Sequence, residues 1–172
     1  ENFYKRLEKI FKKDTIKKIA DIYLRDLGDN QEGNKYKHAL SNLMTDWTFG
    51  MHALDLLERH QNKSYGYFFN EPSPLLGGKL GAYHASELPY VFGSANKKIF
   101  KDFCSEYSDE ISNFFQFSWS QFAKTGSPSS HLMDWEVYEN NSSITYINSV
   151  PKIKTFKNKD RIKLLNESKL NF

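Results

Sequence analysis

The sequence predicts an α/β fold, and three kinds of segment predict it. Apolar residues recur at helical spacing near both ends of the chain and again over residues 101–124. Two short runs rich in aromatic or β-branched residues, 64–70 and 143–147, are typical of strands. A loop with two prolines and three glycines separates the first strand from His84. Strands that alternate with helices in this way indicate the α/β class.

The N-terminal third is predicted to be helical. Residues 1–13 place Leu7, Ile10 and Phe11 on one face, and Asp14 is predicted to be the N-cap of the next helix. That helix runs to a stop at Gly28, before a polar turn over residues 28–33. Its predicted apolar stripe consists of Ile16, Ile19, Ala20, Tyr23 and Leu27. A long helical pattern then spans residues 36–57, where Gly50 is expected to break or bend it.

The remaining elements are two short strands and two helices. The segment SYGYFFN, 64–70, predicts a largely buried strand, and SITYI, 143–147, predicts a second strand. Residues 101–124 predict the clearest helix, closed by Gly126, with an apolar stripe made of Phe103, Tyr107, Ile111, Phe114, Phe115, Trp119 and Phe122. Residues 159–170 predict a last amphipathic helix. Because two strands are rarely a stable sheet, we expect them to belong to a larger one.

Composition limits the classes of function. The 172 residues suit one domain with a real core, because 39% are hydrophobic and 16% are aromatic. The net charge of +3 is spread over scattered lysines, which predicts a solvated surface and no nucleic-acid partner. No run approaches the ~18 apolar residues of a membrane span. Cys104 is predicted to pack inertly on an amphipathic helix, and the lack of disulfides fits a reducing compartment such as the cytoplasm, without specifying the location.

The histidines are the strongest candidates for chemistry. His38, His52 and His60 lie in helical patterns among polar neighbours and are predicted to be surface residues, and His131 is predicted to be structural. No zinc-binding HExxH, no P-loop and no GxGxxG occurs, so no metal or cofactor is expected. His84 differs, because it follows a strand and a glycine-rich loop. It is either a general base or a loop histidine that bonds its own backbone.

A base in this role needs a nucleophile and a carboxylate that orients the imidazole. The nucleophile elbow GxSxG is absent from the 172 residues. Glu87 is too near His84 in sequence to be assigned as its partner and is expected to fix the loop through hydrogen bonds. From spacing alone, the role of His84 stays open.

The segment GAYHASELPYVFG, 81–93, resembles the catalytic-histidine segment of the type-B carboxylesterases, which include the para-nitrobenzyl esterases and cholinesterases. The resemblance extends in order along nearly the whole chain. Its other segments are KKIADIYL at 17–24, LMTDWTFG at 43–50, SYGYFFN at 64–70, SWSQFAKTGSPSS at 118–130 and DWEVY at 134–138.

The resemblance implies an α/β-hydrolase fold and a Ser-(Glu/Asp)-His triad that hydrolyses small-molecule carboxylic esters. His84 matches the general base. In the family's order the nucleophile and the acid come earlier, so residues 1–172 are expected to be an incomplete, C-terminal segment of a carboxylesterase domain, with the last strands of its central sheet. Glu1 is a poor match for the acid. Trp47, Phe49 and Tyr83 are candidates to line the substrate pocket, with core packing as the alternative for the first two.

Three expectations follow from the missing parts. The chain by itself is predicted to be inactive, to expose an apolar patch and a bare strand edge, and to have the N-terminal part of the same protein as its partner. The first rival is a non-catalytic binding or adhesion protein with the same fold, although retention of His84 argues against it. The second is an aromatic-rich nucleic-acid binder, which salt-dependent binding of single strands would reveal.

Overall fold

The computed structural model describes residues 2–27, 34–139 and 142–170. The chain forms two compact units, which we name the helical unit (Glu1–His60 with Lys157–Phe172) and the sheet unit (Gln61–Phe156). In chain order the elements are α1 (Asn2–Leu7), α2 (Ile16–Arg25), α3 (Lys35–Thr45), a π-helical turn (Asp46–Gly50), α4 (Met51–Arg59), β1 (Tyr67–Phe69), a 3₁₀ turn (Leu75–Gly78), α5 (Leu88–Val91), α6 (Ser108–Thr125), β2 (Ser143–Ile147), β3 (Lys152–Thr155) and α7 (Lys159–Ser168).

The core of the helical unit is built from one face of each of several helices. The apolar stripe predicted for α2 is confirmed, with Ile16, Ile19, Ala20 and Tyr23 buried. They pack with further buried side chains, which include Leu7, Phe11, Leu43 and Leu165. Burial of these faces, rather than helix propensity, stabilises helices of this length.

The N-terminal segment differs from its prediction. The helix expected over residues 1–13 ends at Leu7, and Phe11 instead forms an antiparallel bridge with Lys169. The buried Phe11 ring packs edge-on against Trp47, with 5.1 Å between the ring centroids. Thr15, not Asp14, occupies the N-cap of α2, and its side chain makes no capping bond. The turn predicted at 28–33 lies outside the described residues.

The predicted interruption of the long helix is confirmed as a π-helical turn that ends at Gly50. Such turns insert one residue into a helix and are frequent at functional sites. A Cβ at Gly50 would lie 3.0 Å from Cδ1 of Ile162 on α7, so the close approach of α7 favours glycine here. Asp46, at the start of the turn, is buried and accepts hydrogen bonds from Tyr23 and Arg161.

Among the described residues, the sheet unit has three strands, so the expectation of two was wrong. β1 pairs parallel with β2, and β2 pairs antiparallel with β3, in the order β1-β2-β3. β3 reads KIKT, in which lysines alternate with one apolar residue. A short edge strand with exposed lysines contains few apolar residues. Its sequence therefore lacks the apolar run that would predict a strand.

The burial predicted for β1 was also wrong. Tyr67 is 43% exposed, and Phe68 and Phe69 are half-buried. Tyr67 packs edge-on against Phe115 and Trp119 of α6, while its remaining surface faces solvent.

Helix α6 begins at Ser108, seven residues later than predicted, and ends at Thr125. The predicted stop, Gly126, is its C-cap and has the left-handed conformation. Turns occupy the preceding segment, so Phe103, Cys104 and Tyr107 are not helical. Cys104 is buried as predicted, although not on a helix. Within α6, Ile111, Phe114 and Phe115 are buried against Trp135 and other core residues, whereas Phe122 is 49% exposed.

Candidate active site

The loop that leads to His84 starts at the end of β1. The amide of Asn70 donates to the carbonyl of Ile147, which extends the pairing of β1 with β2 by one bond. The next side chain, Glu71, is buried and accepts a hydrogen bond of 2.9 Å from the amide of Ser149. Both ends of this contact lie at the carboxyl ends of parallel strands, where α/β proteins usually place their functional loops.

Ser73 closes the base of this loop. Its amide donates to the carbonyl of Gly81 over 3.0 Å, and its hydroxyl donates to the carbonyl of Phe103 over 2.6 Å. The hydroxyl oxygen of Ser73 also accepts a hydrogen bond from the amide of Leu75. Ser73 is only 2% exposed, so these bonds are shielded from water. The sequence analysis missed Ser73, for which the only signal is a small polar residue between two prolines.

The loop passes through several left-handed residues before His84. Leu76, Gly77, Gly78 and Gly81 have φ values between 54° and 81°. Glycine adopts this region without steric cost, and three of the four residues are glycines. The three glycines therefore allow the long loop predicted from the sequence to fold tightly.

His84 is an exposed side chain in a turn between the loop and α5. The turn is tight, because the amide of Ser86 donates to the carbonyl of Tyr83 over 3.0 Å. Ala85, the residue after the histidine, has a φ of 66°. A non-glycine residue in this region is strained, and such strain is often found beside functional groups.

The rest of the motif is a short helix closed by a glycine. Pro89 lies in the first turn of α5, where its missing amide hydrogen costs nothing. Gly93 has a φ of 59°, and the amide of Ser94 then donates to the carbonyl of Pro89 over 2.7 Å. These contacts give HASELPYVFG one compact conformation with His84 at its exposed end.

Glu87 is half-buried and contributes to the loop through its backbone. Its carbonyl accepts from the amides of Tyr90 and Val91, which starts α5. Its carboxylate lies near Tyr67: burial, and then the charge of Glu87, raises the pKa of that phenol. The side-chain hydrogen bonds expected of Glu87 stay a prediction.

The other candidate residues fall into different surroundings. In the helical unit, Trp47 is half-buried against the core and Phe49 is 47% exposed. In the sheet unit, Tyr83 lines a cavity of about 290 Å³. His52, His60 and His131 are exposed, whereas His38 is half-buried. His131 contacts the ring of Phe117 edge-on.

In residues 2–27, 34–139 and 142–170, no group of three or more His, Cys, Asp or Glu side chains could hold a metal ion. None of the helices described is long and apolar enough to cross a membrane.

Comparison with solved structures defines the fold class. A carboxylesterase from Geobacillus stearothermophilus superimposes with a TM-score of 0.71 at 20% identity, over 86% of this chain and 31% of the other. A PNB esterase gives 0.68 at 24% identity, over 94% of this chain and 32% of the other. The fold is therefore that of part of an α/β-hydrolase, as the sequence predicted.

The family follows from the sequence. The model of the carboxylesterase family matches residues 1–165, so the chain belongs to that family, and the resemblance noted above is confirmed. The para-nitrobenzyl esterase of Bacillus subtilis is 30% identical over 146 residues, which are 82% of this chain and 27% of that enzyme. The chain thus spans about a quarter to a third of the relatives it matches.

Proposed function

We propose that this chain supplies the general-base histidine, His84, of a carboxylic ester hydrolase whose nucleophilic serine and acid lie outside these 172 residues. The observation that carries the proposal is the position of His84, at the exposed end of the compact HASELPYVFG segment in a chain of the carboxylesterase family. We further propose that residues 1–172 are the C-terminal segment of one carboxylesterase domain.

The chemistry expected of His84 is proton transfer. It would accept the proton of the serine hydroxyl as that oxygen attacks the ester carbonyl, and it would then protonate the departing alcohol. A carboxylate on its second ring nitrogen would hold the required tautomer. Backbone amides from another segment would stabilise the oxyanion, a contribution of about 3–4 kcal/mol per donor. The para-nitrobenzyl esterase relative supports a carboxylic ester with an apolar acyl or alcohol part as substrate.

The edges of the sheet support the view that more of the domain packs on the sheet unit. β3 forms one edge, and its exposed Lys152 and Lys154 are typical of an edge that faces water. β1 forms the other edge and offers the apolar sequence YFF, with no lysine and no further strand paired to it among the described residues. An edge of this composition is expected to receive another strand.

The test uses a para-nitrophenyl ester and compares the chain with the longer polypeptide that the proposal implies, in which residues 1–172 follow the serine and the acid. The 172-residue chain is expected to show no turnover above the uncatalysed rate. In the longer polypeptide, His84→Ala and His84→Gln are expected to lower kcat at least 10³-fold, because the serine is no longer activated. His52→Ala, which changes an exposed histidine on α4, is the matched control and should keep full activity.

Two results would contradict the proposal. Turnover by the 172-residue chain that disappears in His84→Ala would place a nucleophile within it. Full activity of His84→Ala in the longer polypeptide would remove His84 from the mechanism. A longer polypeptide with no nucleophilic serine would instead favour the rival function, a non-catalytic binding or adhesion protein.

A further inference from the structure

A small apolar cavity lies in the sheet unit, next to the turn that carries His84. Its volume is about 290 Å³. One part of its wall comes from that turn and the start of α5, and the other from the segment that precedes α6. The wall includes Tyr83, Ser86, Pro89, Ile99, Phe103 and Cys104. Among the residues that the structure describes, no charged side chain lines it, and His84 is not part of the wall although both its neighbours are.

Hydrogen bonds hold the two parts of the wall together. The hydroxyl of Ser73, at the base of the histidine loop, donates to the carbonyl of Phe103 over 2.6 Å. The amide of Ser105 donates to the hydroxyl of Tyr90 over 2.8 Å, and Tyr90 is only 2% exposed. A cavity held in this way is largely formed before any ligand arrives, as small-molecule sites usually are.

One polar group in the wall lacks a partner. Ser86 is only 6% exposed, and its hydroxyl makes no hydrogen bond with any described residue. A buried hydroxyl without a partner costs free energy, and native proteins usually satisfy such groups with water or a ligand. The hydroxyl oxygen is itself shielded from solvent, so rotation about the Cα–Cβ bond of Ser86 is the adjustment that a ligand would require.

We propose that this cavity binds a small uncharged apolar molecule with one hydroxyl or carbonyl group, which hydrogen-bonds to Ser86. The volume is at the lower end of the range for ligand pockets, which suits a molecule of about one ring. The aromatic and aliphatic wall provides apolar contact, and the absence of a charged side chain disfavours charged ligands. The proposal rests on the cavity and on Ser86, and it does not depend on the proposed role of His84.

The test is a titration followed by the NMR signals of the methyl groups of Ala85 and Ile99. Benzyl alcohol is expected to shift them saturably, toluene more weakly, and benzoate not at all. In Ser86→Ala, the preference for benzyl alcohol over toluene, expected to be about five-fold for one hydrogen bond, should disappear. The alanine variant keeps the cavity and removes only the hydroxyl.

A matched pair of charge substitutions locates the site. Ile99 lines the cavity and is 72% exposed, so Ile99→Glu should weaken benzyl alcohol binding several-fold without unfolding the protein. Val150 is 66% exposed in the same unit and does not line the cavity, so Val150→Glu should leave binding unchanged.

Three results would overturn the inference. The first is the absence of saturable shifts up to about 10 mM benzyl alcohol, which is expected if only water satisfies Ser86. The second is an unchanged preference for benzyl alcohol over toluene in Ser86→Ala. The third is that Val150→Glu weakens benzyl alcohol binding as much as Ile99→Glu does. If the methyl signals of the 172-residue chain are not dispersed, the same titrations on the longer polypeptide decide the matter by the same criteria.

Discussion

Arg161 donates a hydrogen bond of 2.7 Å from its Nε to Oδ2 of Asp46, although 115 residues separate the two in sequence. The Asp46 side chain is 5% exposed and that of Arg161 is 13% exposed, so the ion pair is nearly enclosed. The hydroxyl of Tyr23 donates to the same oxygen over 2.8 Å, and the guanidinium lies 4.8 Å from the centre of the Tyr23 ring. Burial works against the charge of Arg161, but Asp46 outweighs it and raises the pKa of the guanidinium.

Removing one partner of this pair should destabilise the helical unit. Arg161→Met would leave the Asp46 carboxylate buried without its counterion, and a loss of about 3–5 kcal/mol in the free energy of unfolding is expected. Urea denaturation measures it. The control is Arg59→Met, which breaks the exposed i,i+4 pair with Asp55 and should cost about 0.3–0.5 kcal/mol. Equal losses in the two variants would show that Asp46 is not enclosed.

Tyr23 should make the stability fall at alkaline pH. Burial, followed by the charge of Asp46, raises its pKa well above the ordinary value of a phenol. Because the folded-state pKa exceeds the unfolded value near 10, the contribution of Tyr23 is fully present below pH 10. Above pH 10 the unfolded phenol ionises first, and the contribution falls by about 1.4 kcal/mol per pH unit.

The measurement is the free energy of unfolding from pH 8 to 11, in the wild type and in Tyr23→Phe. The variant should show a shallower decline above pH 10. Tyr67 and Tyr90, whose pKa values are also raised, remain in both proteins, so the difference in slope reports Tyr23. Identical slopes would contradict the prediction.

Ser73→Ala should loosen the loop that leads to His84. The variant loses the hydrogen bond to the carbonyl of Phe103 and should be about 1–3 kcal/mol less stable. Trypsin reports the loop directly, because Lys79 lies exposed within it and should be cleaved faster in the variant. Ser120→Ala, which changes an exposed serine on α6, should leave both the stability and the cleavage rate unchanged. The same cleavage rate in the two variants would exclude Ser73 as the closure of the loop.

Gly93→Ala should cost more stability than Gly126→Ala. Both glycines have positive φ, 59° and 75°, where a Cβ costs about 1–2 kcal/mol. A Cβ at Gly93 would also force the end of the exposed Gln116 side chain to move, which adds a small cost, whereas a Cβ at Gly126 would meet nothing within 4 Å. Thermal unfolding of the two variants measures the difference. A larger loss in Gly126→Ala would show that crowding at Gly93 has no effect.

Some elements followed from local rules. The stripe of α2, the interruption at Gly50, the strand β2 and the stop at Gly126 were all predicted, because periodicity, β-branched residues and left-handed glycines act within a few residues. The motif around His84 was found for a different reason, since its residue order resembles that of a known family. Where local signals conflicted, predictions failed. Residues 101–107 have a helical pattern, yet they form turns that bury Cys104.

The sequence by itself determined the fold class, the family and the candidate base His84, because each depends on residue order within short segments. The tertiary structure decided which distant groups meet. Ser73 reaches the carbonyl of Phe103, Arg161 reaches Asp46, and β3 reaches β2 only when the chain is compact. Hydrogen bonds and ion pairs of this kind form between groups that are far apart in sequence, so their partners are set by packing and leave no local pattern.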